Sequence, residues 1–359
     1  MTKKVLVGMS GGVDSAVAAA LLIDQGYDVI GVTLNLWDGK KKSDCNTGKT
    51  CCSLEDVEDA RAVAYHLGIP FYVLNMKELF KEKVVDYFID SYLKGETPNP
   101  CVACNQYIKF DAMLEKAISL GCDYISTGHY ARKAFNSKSG RFLLKKAADP
   151  SKDQSYVLYM LKQNQLERLL FPLGDLKKTD TRNIAKEKGL RVFEKPDSQD
   201  ICFVETGKYG DFIREHTHRE IPDGLFVDRE GNVLGRHKGI INYTIGQRKG
   251  LGLAVDSPYY VVEKDVLTNT VILAHKADTL IKTFTARDMN YISFEQPKSE
   301  FKAEVRVRYS SKESAAVIFP MENNRARIEF VSPQQFVAPG QIVVLYDNDN
   351  VIGGGIIER

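Results

Sequence analysis

Two groups of residues in this chain have types and spacing that could do chemistry. The first is Gly8-Met9-Ser10-Gly11-Gly12-Val13-Asp14-Ser15, set between an apolar strand, Val5-Leu6-Val7, and a helix with Val13, Val17, Ala20 and Leu21 on one face. Adjacent glycines let the backbone turn tightly and bring N–H groups against an anion. Ser10 and Ser15 add hydroxyl donors, and the helix start adds its positive dipole. The expected guest is a phosphate group. No Gly-Lys-Ser/Thr follows and no Gly-x-Gly-x-x-Gly is present, so ordinary kinase and dehydrogenase readings lose support. A purely structural glycine turn is the plain alternative, and the strand-loop-helix setting speaks against it.

The second group is cysteine. There are seven, an odd number, and no export signal precedes them, which argues against a disulfide framework. In Thr97-Pro98-Asn99-Pro100-Cys101-Val102-Ala103-Cys104-Asn105 two prolines stiffen the approach to a Cys-x-x-Cys. That pair admits a redox couple, half a metal site, or one reactive thiol with a neighbour. No second Cys-x-x-Cys exists and Cys51-Cys52 lacks ligand spacing, so zinc is disfavoured. Cys45 and Cys122 stand alone. Cys202, between Ile201 and Phe203, taken by itself reads as a buried inert thiol.

Together these segments are more specific. The loop matches Ser-Gly-Gly-x-Asp-Ser, the pyrophosphate loop of enzymes that split ATP between its α and β phosphates. Pro98-Asn99-Pro100 leads to Cys104-Asn105, and Asp197-Ser198 leads to Ile201-Cys202-Phe203. With Thr127-Gly128-His129-Tyr130, Lys152-Asp153-Gln154-Ser155-Tyr156 and Ile245 to Gly252, the chain resembles the bacterial tRNA-specific 2-thiouridylases from residue 3 to near its end.

The resemblance implies an adenine-nucleotide α-hydrolase-like catalytic domain. Its activity would be ATP-dependent 2-thiolation of the wobble uridine in lysine, glutamate and glutamine tRNAs, releasing AMP and pyrophosphate. Cys202 would carry a persulfide and Cys104 would be its catalytic partner. Residues 8–15, Leu34 and Gly128 would contact ATP, with Asp14 near Mg²⁺, and Asn99, Pro100 and Cys101 would meet the target base. His129, Lys152, Asp153, Gln154, Arg308, Tyr309 and Gln341 would touch tRNA, Arg308 ahead of Tyr309. Sulfur would come from a cysteine desulfurase or a relay protein. Many members carry Asp where this chain has Cys101, and a mostly neutral thiol is no carboxylate base. The extra thiol leaves open an iron–sulfur cluster held by Cys101, Cys104 and Cys202.

These residues need elements to position them. Apolar content of 43% and charged content of 27% are ordinary for globular chains, and no apolar run approaches the ~20 residues of a membrane span. A cytoplasmic protein without membrane contact is expected. Strands at Val29–Leu34, Phe71–Leu74 and Tyr124–Ser126 alternate with helices, one opening on a Ser53/Asp56 capping pattern, which predicts a parallel α/β sheet. A helical stretch follows from 151 to 188. Beyond Thr206, glycines and turns at Glu230-Gly231-Asn232 and Thr268-Asn269 predict short strands. In the last third, Ala303, Val305 and Val307 alternate with Glu304, Arg306 and Arg308, which predicts a β-barrel or sandwich with an outward basic face. The expected division is 1–205, 206–276 and 277–359. Net charge is only +2, but 132–146 holds six Lys/Arg and no acid, a pattern suited to phosphates.

Overall fold

Val5, Leu6 and Val7 have no exposed surface, as expected of a strand covered on both faces. They form the middle of β1 (Lys4–Gly8) in a computed structural model that describes residues 2–37, 54–197, 201–205, 207–253 and 257–358. Cys45, Cys51, Cys52, the Ser53 cap, Ser198 and Thr206 lie outside the described residues.

β1 pairs in parallel with β2 (Asp28–Asn35) and β4 (Tyr124–Ser126), with Val5 opposite Val29 and Tyr124. β3 (Phe71–Asn75) and the short β7 (Leu169–Leu170) extend the sheet to the order β3-β2-β1-β4-β7. The expected parallel sheet is present. β7 was not foreseen, because the stretch around it reads as continuous helix. Helix α1 (Val13–Asp24) buries Val13, Ala16, Val17 and Leu22 against the sheet, and α2 (Leu54–His66) buries Val57, Ala60 and Ala64 beside it.

The basic stretch folds as a hairpin of β5 (Arg132–Asn136) and β6 (Arg141–Lys145) that leaves this sheet altogether. It joins the last domain, where Val351 of β17 (Asn350–Glu358) lies opposite Leu144. Three of the six basic side chains of 132–146, Arg132, Arg141 and Lys146, find partners in the last domain, Arg132 at Asp349. The Arg132 guanidinium donates to the Lys146 carbonyl, Arg141 donates to the Ile292 carbonyl, and Lys146 pairs with Glu313 at 2.7 Å.

After the helix Tyr209–His216, which the glycine-rich composition hid, comes a four-stranded sheet. β8 (Gly224–Val227), β9 (Val233–His237), β10 (Tyr260–Asp265) and β11 (Thr270–Ala274) lie in the order β10-β11-β8-β9. Its turns fall where predicted, with Gly231 at φ +87° and Asn269 at φ +51°. The remaining strands are β12 (Leu280–Tyr291), β13 (Phe301–Arg306), β14 (Ser314–Met321), β15 (Arg325–Gln335), β16 (Ile342–Asp347) and β17. β12 pairs with both β15 and β17 and so closes them into a barrel around Phe284, Val305, Ile318, Ile328 and Leu345. The architecture is an α/β parallel-sheet domain followed by two β-rich domains. Among the described residues no helix is long and apolar enough to cross a membrane.

Candidate active site at the carboxyl end of the parallel sheet

Residues 8–15 leave β1 at its carboxyl end, where an open parallel sheet binds ligands. Met9 N–H donates to the Val32 carbonyl at 2.7 Å, and the Thr33 hydroxyl donates to the Met9 carbonyl at 2.7 Å. Gly11 takes φ +72°, and a Cβ there would lie 2.3 Å from the Asp56 carbonyl oxygen, so only glycine fits. The Ser15 hydroxyl accepts from Ser10 N–H at 3.1 Å and donates to the Gly12 carbonyl at 3.1 Å, bracing the turn. Gly12 is the N-cap of α1 and supplies no side-chain acceptor, so the first helical N–H groups, of Val13, Asp14 and Ser15, have no capping partner. They face an open cleft of about 510 Å³.

Of the expected nucleotide contacts, Gly8, Met9, Ser10, Gly12, Val13, Asp14, Ser15, Leu34 and Gly128 all line this cleft, and Gly11 shapes the loop behind it. Gly128 crosses the start of α1 so closely that a Cβ would lie 2.7 Å from Ser15 N. His129 is also in the cleft wall, but buried, with Nδ1 2.7 Å from the Thr127 hydroxyl and its ring beside Phe110. Burial, with the nearby Lys109 charge second, pushes its imidazole well below the ordinary histidine value, so it is neutral at pH 7.

Asp14, Lys152 and Asp197 line the cleft, and Lys178 and Arg182 pair with them from behind. Lys178 Nζ donates to Asp14 Oδ1 at 2.7 Å and Oδ2 at 2.8 Å, and lies 2.8 Å from Asp197 Oδ1. Lys152 Nζ donates to Asp197 Oδ2 at 2.8 Å and Arg182 to Oδ1 at 3.3 Å. Burial raises the Asp197 carboxyl, but its hydrogen bonds from Lys152 and Lys178 outweigh this and hold it below the usual range. The Tyr130 hydroxyl is 2.8 Å from Asp14 Oδ1 and 2.9 Å from Thr181 Oγ1. Lys195 pairs with Asp56 at 2.7 Å. Lys178 and Lys195, and the bond from Tyr130 to Asp14, are not legible in the sequence because the partners are remote. One signal was available: Lys178 is a cation in the first turn of a helix, where the dipole disfavours it.

Lys178 occupies both Asp14 oxygens, and among the described residues no group of three His, Cys, Asp or Glu side chains is placed to hold a metal. An iron–sulfur cluster fits no better: Cys101 is exposed and Cys104 buried, and no such ligand group includes Cys202.

The two thiols expected to cooperate do share one apolar cluster. Cys104 opens a π-type helical stretch, Cys104–Ala112, and packs in the core with Phe88 and Phe203, against which Cys202 also packs. Phe203 is clamped between Phe80 and Phe88, ring centroids 5.5 Å from each. Leu36 belongs to this cluster and also lines the cleft, so the two regions share a wall.

Other expected contacts are dispersed. Asn99 caps the short helix Pro100–Ala103 and lines a separate cavity of about 200 Å³ with Tyr107 and Tyr159. Asn99, Pro100 and Cys101 are not among the residues lining the larger cleft. Gln341 donates to the Thr97 carbonyl at 2.9 Å, tying the barrel to the approach to Asn99. Asp153 is buried and accepts from Ala147 N–H and Ser155 N–H, while Gln154 Oε1 accepts from Tyr130 N–H at 2.9 Å. Arg306 and Arg308 leave the barrel wall on the expected face, yet both meet protein. Arg308 donates to the Ile245 carbonyl at 2.8 Å and covers the Phe336 ring, and Arg306 lies among Tyr156, Tyr309 and Tyr346. Tyr309 is the exposed one of the expected pair, 47% accessible and lining the cleft.

Family models match in sequence: a tRNA methyl transferase HUP domain over 3–206, a tRNA methyl transferase PRC-barrel domain over 210–275 and an aminomethyltransferase beta-barrel domain over 281–357. A protein of Acetivibrio thermocellus is 52% identical over 356 residues, covering 99% of each chain. One of Clostridioides difficile is 51% identical over 359 residues, covering 100% of this chain and 99% of its own. Both are named tRNA-specific 2-thiouridylase MnmA. A solved 4-thiouridine synthetase–RNA complex with bound ATP aligns at 19% identity and TM-score 0.35, over 56% of this chain and 45% of that one, a likeness too slight to carry an argument. On full-length identity above one half, this chain belongs to the tRNA-specific 2-thiouridylase family.

Proposed function

We propose that the chain uses ATP to replace the 2-oxygen of a tRNA uridine with sulfur. The observation that carries this reading is the shared wall: a phosphate-type loop opens on a cleft whose Leu36 also packs with Cys104 and Cys202. A uracil C2 carbonyl is a poor electrophile. Its oxygen would attack the α-phosphorus of ATP, the bond from that phosphorus to the bridging oxygen would break, and pyrophosphate would leave with the electron pair. Uncapped N–H groups at α1 suit the charge on that leaving group. Persulfide sulfur on Cys202 would then attack C2. In one order Cys104 thiolate first attacks Cys202 Sγ and frees hydrosulfide, which adds to C2; in the other the terminal sulfur adds and Cys104 then releases it. Either order expels AMP and leaves a Cys104–Cys202 disulfide for a thiol reductant to reopen.

The family resemblance supports the wobble uridine of lysine, glutamate and glutamine tRNAs as substrate and a cysteine desulfurase or relay protein as donor, acting in the cytoplasm. It also supports a division near 205 and 276. Tyr309, Lys152 and Gln154, which border the cleft, are the side chains best placed to meet RNA there. The family descriptions speak of methyl transfer, but transfer from a sulfonium donor releases no phosphate and gives residues 8–15 no task.

The test is reconstitution with ATP, Mg²⁺, unmodified tRNA, cysteine and a desulfurase, followed by nucleoside mass spectrometry and pyrophosphate assay. Stoichiometric 2-thiouridine and pyrophosphate are expected. Pyrophosphate release that ignores tRNA, or thiolation without ATP, would sink the proposal.

A further inference from the structure

Lys178 is 9% exposed, and an ammonium has three N–H donors. All three have acceptors, two on Asp14 and one on Asp197. The two carboxylates differ in kind. Asp14 belongs to the phosphate loop and is fixed a second time by Tyr130. Asp197 sits outside the loop, after the extended residue Lys195, and lines the same cleft. The Lys178 ammonium stands beside Lys152 and Arg182, which share Asp197 with it, and near the start of α1, which is itself positive. That grouping suits an anion of higher charge than a carboxylate.

We propose that Lys178 is a ligand for the terminal phosphates of ATP, and that Asp197 is an internal placeholder occupying its free donor while the cleft is empty. The proposal deepens the ATP reading above and rests on it. A triphosphate oxygen would take the donor that Asp197 now holds, exchanging one ammonium–oxyanion contact for another. AMP, lacking the terminal phosphates, would not reach it. Lys178 would thus discriminate between substrate and product at the end of the nucleotide that leaves as pyrophosphate.

Calorimetric titration of the full-length protein with α,β-methylene ATP, which cannot be split at the adenylating position, and with AMP, both with Mg²⁺, tests this. Asp197→Asn should bind the triphosphate analogue roughly tenfold more tightly, the factor one charge-assisted contact is worth, with AMP unchanged. Lys178→Met should bind the analogue more weakly and AMP as before. Asp197→Asn binding the analogue no more tightly than the wild type would overturn the placeholder, since a merely structural Asp197 predicts equal or weaker binding. Lys178→Met losing both ligands alike would make Lys178 a structural cross-link. Should that variant not fold, which its melting curve reports, the near-isosteric Asp197→Asn decides alone. A wild type that binds neither nucleotide would sink the ATP reading itself, a failure visible before any variant is compared.

Discussion

Gly128→Ala is the sharpest perturbation of the nucleotide loop that avoids every charged group. An ideal Cβ at Gly128 would lie 2.7 Å from Ser15 N, 2.8 Å from the Asp14 carbonyl carbon and 3.0 Å from Asp14 Cβ, whereas ordinary contact begins at 3.4 Å. Backbone must therefore retreat by roughly 0.7 Å, and neither side yields readily in a close-packed interior. Ile125 and Ser126 just before it have no exposed surface, and α1 is buried along its length. Overpacking of this sort costs about 1–3 kcal/mol. Ser15 N–H is one of the uncapped donors facing the cleft, so the displacement falls on the phosphate cradle. If the whole cost appears in binding, affinity for α,β-methylene ATP drops by roughly 5- to 150-fold. Calorimetric titration beside a melting curve measures both shares. Gly121→Ala is the control: φ is +70° with nothing within 4 Å of the added methyl, so it should lose stability through backbone strain and keep nucleotide affinity. Gly128→Ala binding within about twofold of wild type would refute the claim that this crossing shapes the phosphate site.

Cys202→Ala should fail to hold a persulfide after incubation with desulfurase and cysteine, while Cys104→Ala should accept sulfur on Cys202 and stall. Intact-protein mass spectrometry finding the label on Cys104 alone reverses the roles. Arg308→Ala removes a donor to the Ile245 carbonyl and should lower stability by about 1.5–3 kcal/mol with little change in the salt dependence of tRNA binding, whereas Tyr309→Phe, which loses only the hydroxyl bond to the Asp153 carbonyl, should keep tRNA binding and Tyr309→Ala should weaken it. A salt slope reduced by one phosphate in Arg308→Ala alone would show that the guanidinium leaves its carbonyl for RNA. His129 titrates below its ordinary 6.5 in the fold, so the unfolded chain binds a proton the folded chain refuses. Its contribution is present above that value and is lost as pH falls below it. Between about pH 7.5 and 5.5 wild type should therefore lose more stability than His129→Gln, and parallel melting curves would exclude the assignment.

Much of the catalytic domain is legible because its signals are local. Val5-Leu6-Val7 is a continuous apolar run of the kind a strand covered on both faces needs, and the glycine loop with its helix lies within the next few residues. The cysteine cluster is less legible: Cys104 and Cys202 meet one core through Phe88 and Phe203, which reading Ile201-Cys202-Phe203 as an inert apolar run could not reveal. The 132–145 hairpin is hidden for the opposite reason. Its basic residues suggest a phosphate surface, but the carbonyl of Ile292 and the carboxylate of Glu313 that occupy them come from the far end of the chain.

Arg306 and Arg308 show why a correct strand pattern can still mislead about function. Alternation along residues 301–308 assigns Ala303, Val305 and Val307 to the barrel interior, and each is buried there. It also assigns both arginines to the other face, and they are on it. That periodicity distinguishes only inside from outside of the strand's own sheet. Outside is not the same as solvent when other domains cover it: Arg308 meets the Ile245 carbonyl, and Arg306 lies 3.8 Å from Asp153 of the catalytic domain. A guanidinium covered in this way exchanges hydration for protein acceptors, and the Nε atoms of both arginines are left buried without one. Lys178 repeats the lesson from the other direction. A cation in the first turn of a helix is locally unfavourable, and it is tolerated because Asp14, distant in sequence, stands opposite. Charges that break a local rule are thus the readable trace of a partner that the sequence cannot locate, and Lys178 leads in this way to Asp14 and Asp197, which line the cleft.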